Sequence, residues 1–176
     1  TVNYRLGEHT LTSVTGFYNY HSEGRQQLGN EPQLLGTVQF AEKYHQLSQE
    51  FRIASPSGER IEYLAGLYYQ TDELDWHSDV NIPFLNFLAG PFPVLAQYLP
   101  LASSIRFSQP EHVYSVFGAL TWNVTDRLKL NTGLRASRVE KDFSGSLHLG
   151  RGTRTYGGFV AAAPAHEALI GQLLGS

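Results

Sequence analysis

Cysteine is absent from the 176-residue chain, which excludes a disulfide framework, a Cys-ligated zinc or iron–sulfur site and a thiol nucleophile. Charge is scarce too: charged residues make up 16% of the sequence, below the roughly 25% of an ordinary soluble domain. Thirteen Lys and Arg stand against sixteen Asp and Glu. There is thus no basic field to hold a polyanion, and no nucleic-acid partner is expected. Long apolar runs are also missing. The most apolar stretch, Ile82 to Ile105, is broken by Pro83, Pro91, Pro93 and Pro100 and carries Asn86 and Gln97, so it does not read as a membrane-crossing helix. No basic segment followed by an apolar run opens the chain. A signal peptide is expected to have been removed, or the chain to be a slice of a longer one. Tyr, Phe, Gly, Ser, Thr and Gln take the place of the missing charge, and aromatics reach 12%.

What is present is a hydrophobic signal of period two, the period of a strand whose faces meet different surroundings. The clearest unit runs from His112 to Phe143. Tyr114, Val116, Gly118, Leu120, Trp122 and Val124 alternate with Val113, Ser115, Phe117, Ala119, Thr121 and Asn123. After a turn at Thr125, Asp126 and Arg127, the set Leu128, Leu130, Thr132, Leu134 and Ala136 alternates with Lys129, Asn131, Gly133, Arg135 and Ser137. This predicts a long hairpin with a very short turn. Its strands, about twelve to fifteen residues each, exceed the five or six usual in globular proteins and suffice for the nine to eleven of a tilted bilayer-crossing strand. The same shape is predicted around Ser55 to Gly58 and around Gly7 and Glu8.

Six strands follow, near 1–6, 10–20, 46–55, 59–71, 112–124 and 127–143, joined alternately by tight turns and by long connections at 21–44, 72–111 and 144–176. Short turns at one end and long polar loops at the other characterise outer-membrane barrels. A soluble meandering β sandwich is the competing fold. Trp122 near a tight turn, with Tyr18, Tyr20, Tyr68 and Tyr69 near the long connections, would make two interfacial aromatic girdles; strand propensity alone also enriches such residues.

Four stretches carry a family resemblance: Thr10-Leu-Thr-Ser-Val-Thr-Gly-Phe-Tyr, Leu47-Ser-Gln-Glu-Phe-Arg-Ile-Ala-Ser, Tyr63-Leu-Ala-Gly-Leu-Tyr-Tyr, and the run from Tyr114 through Trp122-Asn-Val-Thr-Asp-Arg to Arg135. In order and spacing they resemble the C-terminal barrel of TonB-dependent outer-membrane receptors of the sphingomonad type. The resemblance implies an all-β, antiparallel transmembrane barrel. It also implies a plug domain in the same parent chain, a TonB complex reached through a further N-terminal region, and active uptake of a scarce siderophore, vitamin or saccharide across the outer membrane. No plug or TonB box is recognisable here, and six strands are fewer than the eight of the smallest barrels. The chain is therefore expected to be a fragment of one. A passive porin-like barrel and a soluble β-rich carbohydrate-binding module are the alternatives.

In hydrocarbon, backbone amides must be paired and lipid-facing side chains apolar. Phe51, Leu67, Val116, Leu120, Leu130 and Leu134 are the candidates for that face, with outer-membrane lipid as the partner. Glu50, Arg52, Lys129, Asn131 and Arg135 are expected to face the lumen. Phe84, Phe87, Phe92, Tyr98 and Phe107, in the long connection, are candidates for a small-molecule or saccharide ligand; a small satellite core is the other reading. Asp72, Glu73, Asp75, His77 and Asp79 are read as a solvated acidic loop, not a metal site, because no fixed ligand spacing is met. The seven His residues are scattered and no nucleophile elbow or phosphate-binding loop occurs, so neither enzyme activity nor a cofactor is expected. Asn123-Val-Thr125 matches a glycosylation sequon but is read as structural. The tail from Phe159 to Leu174 is a candidate helix.

Overall fold

A computed structural model describes residues 1–28, 36–83, 91, 93–125, 127–153 and 158–174. In chain order the elements are β1 (Val2–Leu6), β2 (His9–Leu28), β3 (Gly36–Ala54), β4 (Ile61–Asn81), a 3-10 helix (Pro93–Tyr98), β5 (Leu101–Thr125), β6 (Leu128–Lys141), β7 (Ser144–Gly152), β8 (Phe159–Ala161) and α1 (Pro164–Leu174). All strands lie in one sheet, each beside its sequence neighbour from β1 to β5; β5 then pairs with β6 and β7, and β7 with β8.

β6 and β7 keep one register against β5. Glu111 opposes Lys141 and Thr121 opposes Asn131, while Leu101 opposes Arg151 and Ser108 opposes Ser144, so every opposed pair from Leu101 to Asn123 has the same sum of residue numbers, and the register shifts only beside the turn, between Asn123 and Thr125. The two are one strand interrupted at Asp142 and Phe143. The reason is Pro110. Its carbonyl accepts from the Asp142 amide at 3.1 Å, but proline has no N–H to return the second bond of that pair. Counted this way, the described sheet has five long strands preceded by the five-residue β1, six in all as the alternation predicts, plus the short β8.

The tight turns also fall where expected. Leu6 opposes His9, leaving Gly7 and Glu8 as a two-residue loop. Gly7 has φ 63° and, among the described residues, no non-glycine residue has positive φ, which makes it a type II′ turn, the kind whose twist suits a hairpin. Gly58, at φ 88°, shapes the second. In the third, the Thr125 hydroxyl accepts from the Leu128 amide at 3.0 Å.

The long connections differ from expectation. Much of 21–44, 72–111 and 144–176 is strand, since β2 runs 20 residues, β3 19, β4 21 and β5 25. Here the apolar residues change face, as in Asp72-Glu-Leu-Asp-Trp-His-Ser-Asp, where Leu74 and Trp76 alternate with Glu73, Asp75, His77 and Asp79, so the pairing persists while the hydrophobic stripe of the preceding residues ends. The tail helix is present as α1.

The chain divides into two compact units. The first comprises Thr1–Tyr20, Tyr44–Glu73 and Gln109–Asp142. Among its described residues no hydrophobic side chain is buried; those that are buried, Asp72 and Ser115, are polar. The second comprises His21–Lys43, Leu74–Ser108 and Phe143–Ser176 and holds a small core of Leu101, Ala162 and Ile170, with Tyr98, Leu99, Leu149 and Leu169 against it. Glu167 ties α1 to β7 by accepting from the Leu149 amide at 2.6 Å.

Candidate functional site

In the first unit the registers sort side chains onto two faces. Opposed residues of an antiparallel pair share a face, so Val2, Tyr4 and Leu6 lie with Ser13, Leu11 and His9. Val116, Leu120 and Trp122 likewise lie with Ala136, Thr132 and Leu130. Cross-strand contacts extend the set. Thr15 donates to Gln49 at 2.6 Å, His9 and the Tyr63 hydroxyl are 2.7 Å apart, and the Tyr69 and Tyr114 rings lie 5.2 Å apart. All six lipid-face candidates are on this apolar face, with Leu134 80% exposed and Leu67 60%. Its run on β4, from Ile61 to Tyr69, is about 26 Å of strand and spans about 20 Å at a tilt of about 40°.

Its few polar groups are satisfied locally: Gln49 accepts from Thr15 and donates to Ser13 at 2.9 Å. Aromatic side chains mark both ends of the face, His9, Tyr63 and Trp122 near the tight turns and Tyr69 and Tyr114 at the far end. This corrects the expected girdle. Tyr18, Tyr20 and Tyr68 have the opposite parity and share the other face with Tyr44.

That other face is polar and carries all five lumen candidates. Glu50 and Arg52 form an ion pair at 2.8 Å. Asn131 accepts from the Thr121 hydroxyl at 2.8 Å, and Lys129 lies opposite Asn123. Arg135 contacts two rings: its guanidinium carbon lies 5.4 Å from the Tyr68 ring centre and 5.8 Å from that of Phe117, and it donates to Ser115 at 3.0 Å. Stacking between two rings uses the weak hydration of the guanidinium and fixes its direction.

Beside it the Tyr18, Tyr20 and Tyr44 rings cluster at 5.6–6.0 Å. Two parallel chains of hydrogen bonds run along this face, Tyr44 to Gln46 at 2.9 Å and Tyr68 to Gln70 to Asp72 at 2.5 and 2.6 Å. Sequence reasoning did not single out Tyr44, although its parity with Glu50 and Arg52 on β3 is a usable signal. Such a surface of ring faces, hydroxyls and amides can recognise a ligand or a protein face without covalent chemistry.

Of the five aromatic ligand candidates, the two that are described, Tyr98 and Phe107, are not brought together. Phe84, Phe87 and Phe92 lie outside the described residues. Tyr98 packs against the small core and bonds its hydroxyl to His166 Nδ1. Phe107 stacks on Trp76 at 5.2 Å and sits 5.6 Å from Phe143. The acidic cluster is strand, not loop: it lies on β4, Asp72 and Asp79 are buried, and His77 bonds Asp79 at 2.9 Å. Among the described residues no group of three His, Asp or Glu is placed to hold a metal ion. Asn123 donates its amide to the Glu59 carbonyl at 2.5 Å, a structural use of the sequon asparagine.

A sheet with an exposed apolar face, a polar face with self-contained ionic and aromatic networks, and tight turns at one end is a segment of an antiparallel transmembrane barrel wall. Residues 1–163 match the family described as TonB dependent receptor-like, beta-barrel, and the chain belongs to that family. In fold it is similar to the ferric yersiniabactin uptake receptor FyuA from Yersinia pestis, with a TM-score of 0.57 at 16% identity. That match covers 84% of this chain and 23% of FyuA, so the chain spans about a quarter of that receptor's length. No curated protein matches the chain.

Proposed function

We propose that this chain is part of the wall of an outer-membrane receptor that takes up a scarce ligand by noncovalent recognition, driven by energy relayed through TonB. The observation that carries the reading is the apolar face of the first unit. Residues such as Leu134, at 80% exposure, face lipid and need no core, because the hydrocarbon itself is the apolar phase. A soluble sugar-binding module would leave the same face in water, where so large a patch invites aggregation. A passive porin would share the lipid face; membership of the TonB-dependent family favours the coupled receptor.

On this reading the polar face, with Glu50, Arg52, Lys129, Asn131 and Arg135, lines the lumen and meets the plug of the parent chain. A metal chelate is the first ligand class to test, because the similar FyuA is a ferric yersiniabactin uptake receptor; a vitamin or saccharide is the next. The protein is a transporter, not an enzyme, and needs no cofactor of its own. The test is to express the full-length protein, fractionate the envelope, and measure ligand accumulation with and without functional TonB. Outer-membrane sorting, heat-modifiable migration and TonB-dependent accumulation are expected; a detergent-free soluble monomer overturns the reading.

A further inference from the structure

Asp72 is a buried carboxylate on the polar face of the first unit. It accepts a hydrogen bond from Gln70 at 2.6 Å and has no ion pair among the described residues. A carboxylate taken out of water without a cation is costly to keep charged, and a cation brought beside it relieves that cost. The sheet fixes what surrounds it. The Ser55 amide donates to the Tyr63 carbonyl at 2.9 Å, and His45 meets Glu73 at 3.4 Å; counted from these pairs, Gln46 lies opposite Asp72 and Tyr44 one diagonal step away. The Asn123 amide donates to the Arg60 carbonyl at 2.9 Å and the Tyr69 and Tyr114 rings pair, which sets Glu111 on the other side. The cations of this face are engaged elsewhere: Lys141 holds Glu111 at 2.5 Å, Arg52 holds Glu50, and Arg135 lies between its two rings. Around Asp72, then, two carboxylates face one ammonium.

The rings beside this carboxylate point to the same ligand chemistry. Tyr18, Tyr20 and Tyr44 lie 5.6–6.0 Å apart with their planes inclined at 30–56°, so they do not close into a parallel stack, and Tyr18 is exposed. The face of a phenol ring carries the negative part of its quadrupole and attracts a cation. A protonated amine matches the set: its N–H groups donate to the carboxylate while its methylenes rest on the rings. An anionic ligand would meet the excess carboxylate and be disfavoured.

Resting on the receptor reading above, we propose that the transported ligand carries a protonated amine, which sits on Asp72 against the Tyr18, Tyr20 and Tyr44 rings. The test uses the full-length receptor in lipid nanodiscs. The probe is monodansylcadaverine, which ends in a primary amine, and its N-acetyl derivative is the uncharged counterpart; binding is read as fluorescence anisotropy with empty nanodiscs subtracted. The wild type is expected to bind the amine about tenfold or more tighter than the acetylated probe. Asp72→Asn, which keeps the shape of the side chain, is expected to abolish that preference. Tyr44→Leu is expected to reduce it about threefold, and Glu140→Gln, on the opposite face, to leave it unchanged. Equal binding of the two probes by the wild type, no binding of the amine at millimolar concentration, or an undiminished preference in Asp72→Asn overturns the inference. Heat-modifiable migration of every variant reports the barrel separately: a barrel that migrates normally without an amine preference loses this inference and keeps the receptor reading.

Discussion

The two units obey opposite burial rules. In the second, Leu101 and Ile170 are 2% and 1% exposed and the fold closes on an ordinary apolar core. In the first, the large apolar side chains point outward, Phe17 at 73% and Leu134 at 80% exposure, and the buried groups are Asp72 and Ser115. Similar strand alternation thus serves two different solvents. Hydrophobic burial cannot organise the first unit by itself in water, and backbone pairing with a surrounding apolar phase must do so.

The sharpest way to break that contrast is a charge on the outward face. Leu134→Arg is expected to destabilise the full-length barrel by about 2–4 kcal/mol, whereas Asn131→Arg on the polar face leaves folding close to wild type. Urea titration followed by heat-modifiable migration in lipid vesicles compares them, and equal tolerance of both would mean that the faces do not differ in solvent. In the second unit the ordinary rule predicts that Ile170→Ala costs about 2–3 kcal/mol of local stability, for lost transfer energy and the cavity left behind. Hydrogen exchange should rise in β7 and α1, with no change in heat-modifiable migration.

A smaller effect sharpens the view that the first unit depends on backbone approach. A Cβ at Gly66 would press on the Phe117 ring and lie 2.8 Å from the Phe51 carbonyl oxygen. Gly66→Ala should therefore cost about 1–3 kcal/mol, read as a lower urea midpoint. The smallest concerns Arg135. Replacing it with Gln removes a cation held near Tyr68 and Phe117, at a cost of about 1 kcal/mol; Arg135→Lys should recover part of this, and unchanged stability in both would show that the stack contributes nothing.

The sequence made legible whatever alternation could write. Leu120, Leu130 and Leu134 declared the apolar face, Glu50, Arg52 and Arg135 the polar one, and Gly7 and Gly58 the turns. Strand length was not legible, because from Asp72 to Asp79 the face that carries Leu67 turns acidic and the apolar residues, Leu74 and Trp76, fall on the opposite face, so the hydrophobic stripe changes sides. The placement of Tyr18, Tyr20 and Tyr68 was misread because an aromatic ring suits an interface and a lumen equally; only parity with Tyr44 and Arg135 separates them. The packing of Tyr98 on the core that contains Ile170 joins segments 72 positions apart in sequence, which no local pattern encodes.

Pro110 acts as an index mark for assembly. Long hairpins of repetitive alternation have many nearly equivalent pairings, and a slip of two residues keeps every leucine of β6 on its face while shifting all its partners. The correct pairing sets one missing rung at Pro110 against the one interruption of the partner strand, between Lys141 and Ser144. A slipped pairing separates the two, so that one defect becomes two: an amide-less residue against a regular one, and an irregular pair of residues against an unbroken strand. A single imino acid thereby gives a growing barrel wall a positional cue that its hydrophobic pattern does not contain.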